Sequence, residues 1–381
     1  MNLKNLSLKN FRNHTNSTFD FSSKTNFLIG DNGQGKTNII EAISYLCLTK
    51  SYFANDDLSV LNFYGDNFQV EGKFISDSKT EYEVRVAYDR NLSEKVFFIN
   101  KHKVETFSSV IGKYPIVICS PEHTQITSSG PLERRKFVDF VISQYDNGYF
   151  QNLITFKKVL KHRNKILLEA RVSRYDTTDA IEPWNEQLVK HGSYLMLKRK
   201  LFVREFEKFI CSAYLQLTNA DEVPAIEYQP LLAIEENYSE NDIKSIYWKM
   251  LRDNEKEEKR IGTTLVGPHR DEFVLRLNGL ELRRYASQGQ HKTFLVSLKI
   301  AEFSYLKERC NEIPILLLDD IFSELDEHRS ARLLDFIETL SQTFITTTNP
   351  RLFLNSPQSI NNHKIFHIKN GFVEENKILA A

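Results

Sequence analysis

The sequence predicts an α/β protein of two lobes: mixed sheets around a glycine-rich loop, and a largely helical second lobe with a short antiparallel helical arm. Three observations predict it. A short apolar strand leads into Gly30-Asp31-Asn32-Gly33-Gln34-Gly35-Lys36-Thr37 and then into a helical pattern. A second apolar strand, Ile315-Leu316-Leu317-Leu318, ends in Asp319-Asp320. Between them, residues 133–214 are helical in pattern and heavily charged.

In chain order, Leu3, Leu6, Leu8 and Phe11 are spaced for a strand entering a turn, and Phe19-Asp20-Phe21 continues the alternation. Thr25-Asn26-Phe27-Leu28-Ile29 is a strand ending at Gly30, and residues 38–46 carry apolar residues at helical spacing. The alternating runs in 66–119 read as antiparallel strands. Residues 156–168 form one helix and 184–214 a second; the polar stretch 172–179 makes them an antiparallel hairpin. That arm is far shorter than a coiled coil of many heptads. Strands resume near Ile261, with Glu272-Phe273-Val274-Leu275-Arg276-Leu277 alternating. A helix over 289–307, the acid-tipped strand, a helix over 329–339 and a strand over 342–347 complete the alternation. The expected spans are 1–119 and 262–381 for the two halves of the loop-bearing lobe, and 120–261 for the helical lobe.

A chain of 381 residues suits two cores. Lys+Arg and Asp+Glu are both 50, which excludes a uniformly basic surface and leaves room for a local basic patch. Cys47, Cys119, Cys211 and Cys310 show no CxxC spacing, so they read as buried reduced thiols and not as a zinc or redox site. The N-terminus lacks the apolar run of a signal peptide, and no stretch of about 18 apolar residues suggests a membrane span. The expectation is a cytoplasmic protein without membrane contact.

The loop fits G-x-x-x-x-G-K-[ST] in full. Glycines let the backbone curl so that several N–H groups face one phosphate chain, and the following helix N-terminus adds favourable partial charge. Lys36 reaches the β- and γ-phosphates of ATP and Thr37 gives its hydroxyl to Mg²⁺. Asp319 is the second Mg²⁺ residue, and Asp320 polarises the attacking water. Alone, two acids after a strand could simply cap the next helix.

Tyr285-Ala286-Ser287-Gln288-Gly289-Gln290 precedes a long amphipathic helix upstream of the acid strand. By itself this is an ordinary helix cap. In order with the other two motifs it resembles the S-G-G-Q signature of ABC-type ATPases, with Gln288 in place of the first Gly. That resemblance implies that Ser287, Gly289 and Gln290 contact the γ-phosphate held by a second copy, so that two ATP molecules lie in a head-to-tail homodimer. Ser323-Glu324-Leu325-Asp326 matches the D-loop that crosses such an interface, giving Ser323 and Asp326 as further candidates.

Further stretches resemble the RecF family of ABC/SMC-type proteins from end to end: Leu8-Lys9-Asn10-Phe11-Arg12-Asn13, Pro121-Glu122, residues 130–139, Leu160-Lys161-His162-Arg163-Asn164, Gly267-Pro268-His269-Arg270-Asp271-Glu272 and residues 318–326. Ser129 stands where that family has Gly, and Thr127 where it has an aliphatic residue. The resemblance places Arg12 near the nucleotide. It implies a weak, DNA-stimulated ATPase that dimerises on ATP, binds duplex or gapped DNA in recombinational repair and replication, and helps load RecA with RecR and RecO.

Two ABC features are blurred. Thr346-Thr347-Thr348-Asn349-Pro350 lacks the histidine of transporter ATPases, and Gln125 is a candidate Q-loop residue that reads more readily as a solvated loop glutamine. The missing histidine counts against a transporter subunit, and the short insertion against a structural SMC protein. A nucleotide-gated scaffold with little turnover stays open, since Asp320 is one methylene shorter than the usual Glu. The basic residues Lys157, Lys158, Lys161, Arg163 and Lys165, with Lys190, Lys198, Arg199 and Lys200, are DNA candidates or a solvated helix face. Arg134, Arg135 and Arg270 serve the fold or the nucleotide cycle.

Overall fold

Leu3, Leu6, Leu8 and Phe11 are all buried on β1 (Asn2–Phe11), although Leu3 and Leu6 are an odd number of residues apart. A register shift between Leu3 and Asn5 resolves this, since one extra residue turns the next side chain back to the core face. In this computed structural model the described residues are 1–54, 56–173, 178–218, 222–235, 237–338, 340–349 and 363–374. They group into two compact units: Met1–Thr124, Ser212–Asp221 and Gln288–Ala381 form the first, Gln125–Cys211 and Glu222–Ser287 the second.

The first unit holds two six-stranded sheets. One is an antiparallel meander of β1, β2 (His14–Asp20), β4 (Asn67–Ile75), β5 (Glu81–Asp89), β6 (Glu94–Ile99) and β7 (His102–Lys103), in the order β2-β1-β4-β5-β6-β7. The other takes β3 (Thr25–Ile29), β8 (Ile116–Cys119), β12 (Ile315–Asp319), β13 (Thr343–Thr347), β14 (Lys364–Lys369) and β15 (Phe372–Glu374), in the order β15-β14-β3-β13-β12-β8. All its pairings are parallel except β14 with β15. Strands β3, β8, β12 and β13 are buried at every residue, as parallel strands covered on both faces must be. Helix α1 (Lys36–Leu48) packs on β1, β4 and β5 of one sheet and on β12 and β13 of the other, so nearly all of it is buried. Helix α8 (Gln288–Arg309) covers β8, and α9 (Glu327–Glu338) leads into β13.

The second unit is mainly helical: α2 (Thr124–Ser128) from Gln125 on, α3 (Pro131–Tyr145), α4 (Asn147–Ser173), α5 (Thr178–Thr218) as far as Cys211, α6 (Glu240–Ile261) and α7 (Leu282–Tyr285). With them goes a three-stranded antiparallel sheet of β9 (Pro224–Gln229), β10 (Glu272–Leu277) and β11 (Leu280–Glu281). Helices α4 and α5 run antiparallel: His162 stacks on Trp184 at 4.9 Å between centroids, Arg163 Nε donates to Asn185 at 2.8 Å, and His191 meets Asn152 at 2.7 Å. The expected arm is therefore present and longer than its apolar pattern suggests; part of its connection, 174–177, lies outside the described residues.

Four expectations are corrected. Residues 262–287 group with the second unit, because β10 pairs with β9 and not with the acid-tipped strand. Strand β8, read as part of the antiparallel run, is parallel to β12. The alternation continues past 347, where β14 lies against β3. Only Cys47 and Cys119 are buried; Cys211 and Cys310 are half-buried, and none of the four is in a disulfide.

Candidate functional site

The glycine loop follows β3, and at Gly30 and Gly35 its contacts leave no room for a side chain. A Cβ on Gly30 would lie 2.3 Å from the Ile368 carbonyl oxygen of β14. Gly35 sits at φ 106°, and a Cβ there would meet Asn13 Oδ1 at 2.5 Å, so both space and backbone demand glycine. The turn after β1 braces the loop: Asn13 Nδ2 donates to the Gln34 carbonyl at 3.0 Å, and Asn38 of α1 donates to Asn13 Oδ1 at 2.7 Å. The β14–β15 hairpin braces the other side, with Asn370 N donating to Gln34 Oε1 at 2.6 Å and Gly371 N to the Gln34 carbonyl at 3.0 Å. Buried His14 joins Gly35 O and Ser17, whose hydroxyl donates to Gly371 O at 2.8 Å. Asp31, Asn32 and Gly33 are exposed at the rim. Asn13, His14 and Asn370 were not legible as loop supports in the sequence, since nothing in a turn or a terminal hairpin says what it lies against.

Lys36 Nζ donates to the carbonyls of Gly30 and Asp31 at 2.7 and 2.8 Å, which holds the ammonium over the loop. Burial pulls its pKa down, and Asp320, Asp319 and Asp31 oppose that. Thr37 Oγ1 donates to Asp319 Oδ1 at 2.9 Å. Strand β13 lies between β3 and β12, and its Thr346 donates to the same Oδ1 at 2.7 Å. Among the described residues no hydrogen bond reaches Asp319 Oδ2. Burial raises the Asp319 pKa, and the Thr346 and Thr37 hydroxyls work against that rise. Asp320 takes a left-handed backbone, φ 51°, and its N–H donates to Thr346 Oγ1 at 2.9 Å. A hydroxyl and a carboxylate with a free oxygen suit Mg²⁺, which is held by few protein groups and completes its shell with water and phosphate. Groups of three or more His, Cys, Asp or Glu that could cage a metal are absent among the described residues.

Arg12 makes a bidentate pair with Glu41 of α1 at 2.8 and 2.9 Å and also donates to the Ser59 carbonyl, so its guanidinium braces α1 from the turn beside Asn13. Ser287 is exposed just before α8, and half-buried Gly289 and Gln290 lie in that helix's first turn. Ser323 donates to the Asp320 carbonyl at 2.7 Å. Asp326 accepts from the Arg329 N–H at 2.9 Å and so caps α9. Gln125 is exposed in α2.

The structure sorts the basic residues of the arm. Arg163 is buried, paired with Glu258 at 2.5 Å and bonded to Thr264 at 2.7 Å. Arg199 is buried between Asp139, Asp271 and the Pro268 carbonyl. Neither can face DNA; the solvated-face and DNA readings both fail for them, because a buried cation must be paired inside. Lys198 pairs with Asp146 at 2.6 Å. Lys157, Lys158, Lys161, Lys165 and Lys190 are exposed. Arg134 is bidentate to Glu272, Arg135 donates to the Asp271 carbonyl and Arg270 to that of Thr264, so all three hold the second unit together.

A loop-and-helix after one parallel strand, bonded through a threonine to an acid-tipped strand two places along the sheet and packed beside an antiparallel meander, is the head architecture of ABC/SMC-type P-loop proteins. The Smc head domain of Pyrococcus furiosus shares this fold, with a TM-score of 0.57 at 16% identity over 98% of this chain and 95% of that one. A family model described as the RecF/RecN/SMC N terminal domain matches residues 2–373. A DNA replication and repair protein RecF from Chloroherpeton thalassium is 38% identical over 356 residues, 93% of this chain and 96% of the relative. A structure of the recombination mediator protein RecF-ATP in the RecFOR pathway superposes with a TM-score of 0.89 at 30% identity, covering 99% of this chain and 98% of that one. The chain belongs to the RecF family of DNA replication and repair proteins.

Proposed function

We propose that this protein binds and slowly hydrolyses ATP, dimerises on ATP, and in that state binds duplex or gapped DNA in the cytoplasm during recombinational repair and replication. The observation that carries the reading is the Thr37–Asp319 hydrogen bond, which brings the end of the phosphate loop and the acid-tipped strand together across 282 residues. The relative known with ATP supports the nucleotide, and the relatives' names support the repair role. Helping RecA onto DNA with RecR and RecO is part of the same reading. Among the described residues no helix is long and apolar enough to cross a membrane.

Mechanistically, the loop N–H groups and Lys36 take the β- and γ-phosphates, and Lys36 exchanges the carbonyls of Gly30 and Asp31 for phosphate oxygens. Thr37 and Asp319 would hold Mg²⁺, which when bound neutralises charge between those phosphates. Asp320 orients water for in-line attack. Ser287, Gly289 and Gln290, with Ser323 and Asp326, meet the nucleotide of a second copy, so that hydrolysis opens the dimer. Gating with little turnover is the second reading, and it is favoured by an Asp at 320, whose carboxylate reaches less far than a Glu would.

Sedimentation with ATP, ADP and no nucleotide, alongside phosphate release, tests the proposal for the wild type, Lys36→Ala and Asp320→Asn. The expected result is an ATP-dependent wild-type dimer, no ATP binding by Lys36→Ala, and slower turnover with a longer-lived dimer for Asp320→Asn. A wild type that stays monomeric in ATP rules out the sandwich, and wild-type turnover by Asp320→Asn favours the gating reading.

A further inference from the structure

Strand β13 separates the loop strand β3 from the acid strand β12, and in its register Thr346 stands directly beside Asp319. Thr346 is fully buried. Its one hydroxyl does two jobs. It donates to Asp319 Oδ1 at 2.7 Å and accepts the Asp320 N–H at 2.9 Å. The first bond fixes the carboxylate on the oxygen that Thr37 also uses, leaving Oδ2 directed elsewhere. The second ties down the backbone of a residue in the left-handed region, a conformation unfavourable for a residue with a Cβ that such a tether helps to hold.

We infer that Thr346 is a positioning residue for hydrolysis: its hydroxyl sets the orientation of both acids at once, Asp319 through its side chain and Asp320 through its backbone. This rests on the nucleotide-hydrolysing reading above. The chemistry needs the two carboxylates aimed differently, one at the cation and one at water, although they are adjacent in the chain. Along a regular strand, neighbouring side chains would point to opposite faces of the sheet. The turn at Asp320 breaks that alternation; Thr346 holds its N–H, while Ser323 donates to its carbonyl at 2.7 Å, and only the Thr346 hydroxyl also holds the Asp319 carboxylate. Valine has nearly the same shape as threonine but can neither donate nor accept. Serine can do both.

The test compares Thr346→Val and Thr346→Ser with the wild type in full-length protein. The readouts are turnover, ATP affinity by calorimetry with and without Mg²⁺, and thermal melting. For Thr346→Val the turnover number should fall about tenfold or more, the loss of one hydrogen bond to a charged group. ATP affinity without Mg²⁺ should stay at the wild-type value, because Lys36 and the loop N–H groups are untouched. The extra affinity that Mg²⁺ confers should shrink. Thr346→Ser should restore both turnover and the Mg²⁺ effect. If the valine variant does not fold, Thr346→Ala against Thr346→Ser makes the same comparison. Wild-type turnover and Mg²⁺ response in Thr346→Val overturn the inference, and so does a serine variant as defective as the valine one. A wild type that neither binds nor hydrolyses ATP instead sinks the reading beneath it, and this inference with it.

Discussion

Thr37 Oγ1 donates to Asp319 Oδ1 at 2.9 Å, and the two residues stand at the ends of strand–loop–helix and strand units that are not neighbours in the sheet. The bond spans the width of β13, and it lets one hydroxyl and one carboxylate address one cation. Both groups sit on rigid elements, α1 and β12, which fixes their separation better than loops would.

The glycines of the loop should not be equivalent. Gly35→Ala places a Cβ at φ 106° and 2.5 Å from Asn13, whereas Gly33→Ala, at φ 79°, meets nothing within 4 Å. The first should cost about 1–3 kcal/mol of stability and displace Asn13 from the Gln34 carbonyl; the second should cost about 1 kcal/mol from backbone strain alone. Melting and ATP calorimetry on both variants check this. Equal losses would mean that Asn13 does not brace the loop.

Ser287→Arg should leave ATP binding by the monomer intact and prevent dimerisation. Ser287 is exposed ahead of α8, so the larger side chain disturbs no core. In the proposed sandwich it stands where the other copy's γ-phosphate must sit. Calorimetry should give wild-type affinity, and sedimentation in ATP should show monomer only. A dimer formed by this variant would remove Ser287 from the interface.

His269 makes the second unit sensitive to acid. Its imidazole is half-buried and donates from Nε2 to the Thr264 carbonyl at 3.2 Å, and among the described residues Nδ1 has no hydrogen-bond partner. Burial, helped by Arg270, Arg135 and Arg163, pushes its pKa down to about 4 from 6.5. The unfolded chain therefore holds more protons than the folded one between those values, and stability falls as pH drops from 6.5 towards 4. At pH 5 the loss is about 2 kcal/mol relative to pH 7. His14 and His123, also lowered by burial, act in the same direction in the first unit. Denaturant midpoints at pH 7 and pH 5 should converge for His269→Gln relative to wild type; an unchanged gap places the acid sensitivity elsewhere.

Much of the site was legible because it is local. The loop, the acid pair and the Ser287 cap each lie within a few consecutive residues, and their chemistry is written in residue types that strand or helix patterns flank. What the sequence hid depends on partners far along the chain. Arg163 reads as one more cation on a charged helix, yet its partners Glu258 and Thr264 are 95 and 101 residues away. Thr346 reads as a polar strand residue after which a histidine is missing; only the strand order puts it beside Asp319. The β14–β15 hairpin carries no motif at all, and its value lies in what it touches, Gln34 and Gly30.

DNA affinity should rise with ATP and fall with salt, and the arm should divide into residues that matter for it and residues that do not. With 50 basic and 50 acidic residues, a monomer has no overall attraction for phosphate. The exposed cations Lys157, Lys158 and Lys161 are close together on α4, whereas Arg163 on the same helix is buried against Glu258. In a dimer each such cluster occurs twice on one assembly. Each neutralised phosphate releases condensed counterion and contributes about −0.9 to the slope of log affinity against log salt. Replacing Lys157, Lys158 and Lys161 by Gln should therefore flatten the slope and weaken binding while leaving melting unchanged. Arg163→Ala should instead lower stability by about 3–5 kcal/mol, because Glu258 is left buried without its partner. By linkage, DNA that favours the ATP dimer is favoured by it to the same degree, so ATP should tighten DNA binding and ADP should not. Fluorescence anisotropy on a duplex across a salt series, with ATP, ADP and no nucleotide, measures all of this. Equal affinity in the three states would break the link between nucleotide and DNA, and an unaltered salt slope in the triple lysine variant would move the DNA surface off α4.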